Sequence, residues 1–160
     1  MKIIALTKTH LKTTRQIMVQ AGFFDADVFF SDTQFFSGCF FSGNLIGVVG
    51  TEIIGDQAIL RTLIVDSKFR NHAIAQALLK HLEYQLHRQG IKNIYCLTQK
   101  GANYLSCFGY EQTLKQRLPQ LIRTHEYVTR LDMSNRVCLY KRIDVCKTNC
   151  HHFSFSPQAA

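Results

Sequence analysis

The sequence predicts an α/β domain of the α+β kind, a mixed and mostly antiparallel sheet with helices on both faces. Three observations carry that expectation. Strand-like runs at 34–41, 45–54 and 57–65 follow one another across short turns, so they pair as antiparallel neighbours. An amphipathic helix then leads to a further strand at 94–98, and such a crossover places 94–98 parallel to 57–65. Helical patterns stand both before and after the three strands, giving each face of the sheet a cover.

Each element has a local reason. Residues 2–6, KIIAL, form a first strand. Thr7, Lys8 and His10 break the apolar patch at once, which argues against a signal peptide. Residues 10–20 read as a helix ending near Gly22. The apolar stretch 23–30 is a linker or a second short helix. Ser42-Gly43-Asn44 and Gly55-Asp56 are the turns between the three strands. In the next helix Ile74, Leu78, Leu82 and Leu86 recur every four residues, with Ala75 and Leu79 beside them. Lys80, His81, Glu83, His87 and Arg88 take its polar face, and Gly90 closes it. Residues 102–108 form a short helix, and Gly109-Tyr110 opens a less regular segment. A polar stretch starts at Leu118-Pro119, and 136–143 is the last strand. The domain is expected to span 1–144, with 145–160 a flexible polar tail.

The totals narrow the function classes. A chain of 160 residues with 46% apolar content fits one globular domain. No apolar run is long enough to span a membrane, and the expected setting is the cytoplasm. Of six cysteines, Cys39, Cys96 and Cys138 lie in apolar stretches and read as buried free thiols. Cys146, Cys150, His151 and His152 are close together, but no second Cys/His pair at structural-zinc spacing accompanies them, so no metal is expected. The net charge of +8 is scattered, without a Lys/Arg run or a nucleic-acid motif. It serves solubility and the steering of an anionic ligand, and neither nucleic acid nor membrane is an expected partner.

The segment VDSKFRNHAIAQALLKHLE, residues 65–83, asks for an anion. Its polar loop ends on a helix N-terminus, where unpaired N–H groups meet the positive end of the helix dipole. Together with Gly90, IYCLT and YLSCFGY, this order resembles the GNAT acetyltransferase superfamily from about Leu45 to Tyr110. The segments LIGVVGTEIIG, ILRTLIV, GYEQTLKQRLP and THEY are similar to a subgroup containing arsenic-resistance N-acetyltransferases. More distantly they resemble the acetyltransferase domain of N-acetylglutamate synthases. The subgroup's Leu-Cys-Pro before the last strand is missing, since Leu131-Asp132-Met133 stands there.

The resemblance implies acetyl-CoA as donor and a small, amino-acid-like amine as acceptor. Its pyrophosphate loop, Arg/Gln-x-x-Gly-x-Gly/Ala, falls on Arg70, Asn71, His72, Ala73 and Ala75. Asn71 and Ala73 stand where glycine is usual, so the loop either keeps its N–H cradle, aided by Arg70, Lys68 and His72, or only caps a helix. Backbone groups of Leu63, Ile64 and Val65 would hold the pantetheine arm and polarise the thioester carbonyl. The family's acid Tyr falls on Leu105, and Tyr104 is one residue off. It is a candidate acid or a packing residue. His125-Glu126-Tyr127 reads as a solvated loop that could line the acceptor side.

The residues themselves suggest a base. A two-residue turn at Gly55-Asp56 sets Ile54 opposite Gln57 and Glu52 opposite Ile59. Residues 59, 61 and 63 then share a face, making Glu52 and Arg61 diagonal neighbours. Either this is a solvated ion pair, or Glu52 takes an amine proton while Arg61 binds an acceptor carboxylate. Three classes remain: an N-acetyltransferase, a GNAT-fold binding or regulatory protein without catalysis, and, last, a nucleic-acid-binding module. A homodimer through an exposed strand edge fits any of them.

Overall fold

The computed structural model describes residues 1–23, 31–70 and 73–143. The apolar stretch 24–30, Asn71, His72 and the tail lie outside the described residues. Seven strands form one sheet: β1 (Lys2–Ala5), β2 (Gln34–Phe41), β3 (Asn44–Ile54), β4 (Gln57–Val65), β5 (Asn93–Thr98), β6 (Glu111–Thr113) and β7 (Val137–Arg142), in the order β1-β2-β3-β4-β5-β7-β6. Among the described residues, only β4 and β5 run parallel. The helices are α1 (Leu11–Gln20), α2 (Ile74–Arg88), α3 (Ala102–Ser106), α4 (Gln120–Arg123) and α5 (Glu126–Thr129). The mixed, mostly antiparallel sheet with helices on both faces is as expected.

Strand alternation divides the core. On one face, Ile74, Leu78, Leu79, Leu82 and Leu86 of α2 pack on Val49, Ala58, Leu60, Ile94 and Cys96. Gly47 permits that contact, because a Cβ there would come within 3.0 Å of Leu78. On the other face α1 packs on Phe36, Leu45, Val48 and Ile64. Beside it, Leu118, Ile122 and Val128 pack on Ile59, Tyr95, Leu97 and Cys138. Cys39, Cys96 and Cys138 are buried, and burial pushes the Cys96 thiol up to about 12, which keeps it unreactive.

Four expectations need correction. Residues 111–113, read as irregular, form β6 against β7, completing the sheet. The stretch after Leu118 is not simply polar loop: it forms α4 and α5, and its scattered apolar residues cover the sheet. Its helices have four residues each, too short for a periodic signal. Glu83 is not on a solvated face, for Lys141 on β7 holds both its carboxylate oxygens at 2.8 Å. Finally, Leu63 does not share a face with Ile59 and Arg61. The β3–β4 register passes from Thr51↔Leu60 to Gly50↔Thr62, leaving Arg61 as the extra residue of a bulge. The bulge turns Leu63 toward the α2 side.

Candidate active site

The central pair sits beside the bulge. Glu52 lies opposite Ile59, as the turn at Gly55 requires, and Arg61 Nη1 donates to Glu52 Oε2 at 2.9 Å. The Glu52 and Arg61 side chains are 11% and 18% exposed, so the pair is largely buried rather than solvated. The segment around α5 closes over them. His125 Nε2 lies 3.5 Å from Glu52 Oε1, and the Arg61 guanidinium sits 4.1 Å from the Tyr127 ring centroid. Burial pushes the Tyr127 hydroxyl up, partly offset by Arg61. His125 and Tyr127 therefore leave the solvated loop expected of them. Their two-residue spacing is compatible with one side of an extended N-cap, a signal too short to read before the fold is known.

Above this pair the sheet splits. Strands β4 and β5 are paired only from Gln57↔Asn93 to Leu60↔Cys96, yet β4 continues to Val65 and β5 to Thr98. Arg61 to Val65 thus have β3 on one side and no strand in register on the other, among the described residues. The Asp66 N–H donates to Ile46 O at 2.9 Å, so it points toward β3. Alternation then aims the Ile64 backbone groups at β3, and those of Leu63 and Val65 into the split.

The loop after β4 is a 3-10 turn, Ser67–Phe69, capped by Asp66, whose carboxylate accepts the Lys68 N–H at 2.9 Å. Arg70 is exposed in extended conformation. Ala73 is the N-cap of α2 and has φ 55°, ψ 15°, a left-handed conformation that favours glycine. Among the described residues no side chain caps α2, and its first turn holds no acidic residue. Its leading amides, with Ala75 in the first turn, remain suited to an anion. A cleft of about 460 Å³ runs beside the start of this loop, between Gln16, Asn44, Lys68 and Phe69.

Tyr104 is 47% exposed, with its ring edge-on to Phe108 at 4.9 Å, while Leu105 is buried in the core. Desolvation, then Cys107, raises the Tyr104 hydroxyl. The structure therefore brings Glu52, Arg61, His125 and Tyr127 together, sets Leu63, Val65 and the α2 amides along the split above them, and leaves Tyr104 on a separate helix.

A family model described as the acetyltransferase (GNAT) family matches residues 6–114. The chain belongs to the GNAT acetyltransferase family. Comparison with curated proteins finds no match. Among solved structures, this GNAT fold is similar to the ribosomal-protein-S18-alanine N-acetyltransferase of Escherichia coli, at 15% identity and TM-score 0.67 over 94% of this chain and 98% of that one. It is similar to the PaiA N-acetyltransferase of Thermoplasma acidophilum, in complex with coenzyme A, at 15% identity and TM-score 0.66 over 89% and 99%. It is also similar to N-acetylglutamate synthase of Neisseria gonorrhoeae, complexed with coenzyme A and L-arginine, at 15% identity and TM-score 0.71. That match covers 88% of this chain but 32% of the synthase, so only a part of the larger protein corresponds.

Proposed function

We propose that this GNAT acetyltransferase moves an acetyl group from acetyl-CoA to the amine of a small, amino-acid-like molecule in the cytoplasm. The observation that carries the reading is the 2.9 Å Glu52–Arg61 pair, held under the split between β4 and β5. Inward backbone groups of Leu63 and Val65, with Ile64 between them, hold the pantetheine arm. Arg70, Ala73 and Ala75 supply the described part of a pyrophosphate cradle at the α2 N-terminus. Acetyl-CoA supplies an activated acyl group and a thiolate leaving group.

Glu52 takes the proton that the acceptor ammonium gives up, through a water. The amine nitrogen then bonds to the carbonyl carbon and gives up its second proton to water, and as the C–S bond breaks its electron pair leaves on sulfur. Tyr104 is the candidate proton donor to that sulfur, and its raised pKa keeps the phenol protonated. Arg61 positions the Glu52 carboxylate through their 2.9 Å bond and adds positive charge for an acceptor carboxylate. A second reading, a binding protein without turnover, is favoured by the Ala73 methyl at a position suited to glycine.

Calorimetric titration with acetyl-CoA separates the readings, followed by thiol release across a panel of amino acids and amines. We expect micromolar binding, about tenfold weaker in Arg70→Ala. Glu52→Gln should bind equally well and lose about a hundredfold or more in kcat. Tight binding with no transfer to any amine would leave the second reading.

A further inference from the structure

The reading of Glu52 as base leaves open what aims its carboxylate, since a glutamate side chain on the strand beside a bulge has several rotamers. Two constraints come from the start of α5. His125 is the N-cap, and its Nδ1 accepts the Tyr127 N–H at 3.3 Å. An acceptor Nδ1 carries no proton, so neutral His125 has its N–H on Nε2. That nitrogen faces Glu52 Oε1 at 3.5 Å, while Arg61 occupies Oε2. The backbone bond that caps a helix thus leaves the N–H on the ring nitrogen nearer the carboxylate, at a charge-pair distance rather than a hydrogen bond. Two residues on, the Tyr127 ring lies against the Arg61 guanidinium.

We propose that His125 and Tyr127 are positioning residues for acetyl transfer: His125 orients Glu52 through Nε2–H, and the Tyr127 ring holds Arg61. The inference rests on the role given to Glu52 above. It makes activity depend on the 118–131 segment, whose buried anchors Leu118, Ile122 and Val128 fix the start of α5 on the sheet. Neither side chain reacts. The pair sets which carboxylate lone pairs face the incoming amine and where the positive charge beside it sits.

The two ring nitrogens can be tested apart. His125→Gln keeps a donor at the reach of Nε2, and His125→Asn keeps an acceptor at the reach of Nδ1. We expect His125→Asn to lose about tenfold in kcat with unchanged KM for acetyl-CoA, and His125→Gln to keep most of kcat. A residue that merely caps α5 would give the reverse order, and that result overturns the proposal. Tyr127→Phe should leave the acceptor KM near wild type, and Tyr127→Leu should raise it several-fold. Equal values for the two would remove Tyr127 from the inference.

A readout without turnover separates this inference from its parent. In urea unfolding, His125→Asn should lower the midpoint in wild type and do nothing once Glu52→Ala is present. Additive shifts overturn the proposal whatever the wild type does with amines. Non-additive shifts in a protein that acetylates nothing would leave the clamp standing and remove the acetyl-transfer reading instead.

Discussion

Replacing Ala73 with glycine should stabilise the protein, although glycine near a helix ordinarily does the opposite. Ala73 sits at φ 55°, where an L-residue's Cβ crowds the backbone at a cost of about 1–2 kcal/mol. Glycine removes that strain but gives the unfolded chain more freedom, an opposing effect of about 0.5–1 kcal/mol. The difference favours Ala73→Gly by about 0.5–1 kcal/mol, or about 2 °C in Tm for a domain of this size. The control is Ala77→Gly, one turn further on, where the N–H donates to Ala73 O at 3.0 Å inside α2. The same atoms are removed there without strain relief, so the variant should lose about 1 kcal/mol, or about 3 °C. Scanning calorimetry on both variants reads the two signs directly. A fall in Tm for Ala73→Gly as large as that for Ala77→Gly would refute the strain argument. The same change removes a methyl from the proposed cradle, so acetyl-CoA affinity should rise with stability.

Three further outcomes follow from particular contacts. Glu83→Leu or Lys141→Met alone leaves a charge in a site where both are largely buried, and each should cost about 3 kcal/mol. The double variant should recover most of that in urea unfolding. The Tyr110 hydroxyl is buried and makes no hydrogen bond among the described residues, and burial followed by Glu83 pushes its pKa well up. Tyr110→Phe should therefore raise stability by about 1 kcal/mol. Burial lowers the pKa of His81 from 6.5, so the unfolded chain binds its proton first. Its contribution is whole above about 6.5 and is lost as pH falls through the folded value. His81→Gln should flatten that acid-side decline in chemical denaturation.

Much of the fold is legible in the residues because its signals are local. The stripe Ile74, Leu78, Leu82, Leu86 marks α2, and the tight turns at 42–44 and 55–56 set three strands in antiparallel order. The turn at Gly55 also sets Glu52 opposite Ile59, and the pair with Arg61 follows from strand pairing alone. Other features depend on groups far apart in the chain. A bulge at Arg61 answers to packing on both faces of the sheet, and no single residue announces it. Glu83 looks solvated on its helix until Lys141, 58 residues away, arrives on β7. The 118–131 segment has helices too short for a period, so only the sheet beneath it reveals which side chains turn inward. The sequence by itself determined the antiparallel order of β2, β3 and β4, the crossover helix, the polar loop at the start of α2 and the Glu52–Arg61 pairing, because turns and periodicity act over a few residues. Tertiary structure alone decided the split between β4 and β5, the strained Ala73 and the placing of His125 and Tyr127 on that pair, because each is a compromise among surfaces that meet only on folding.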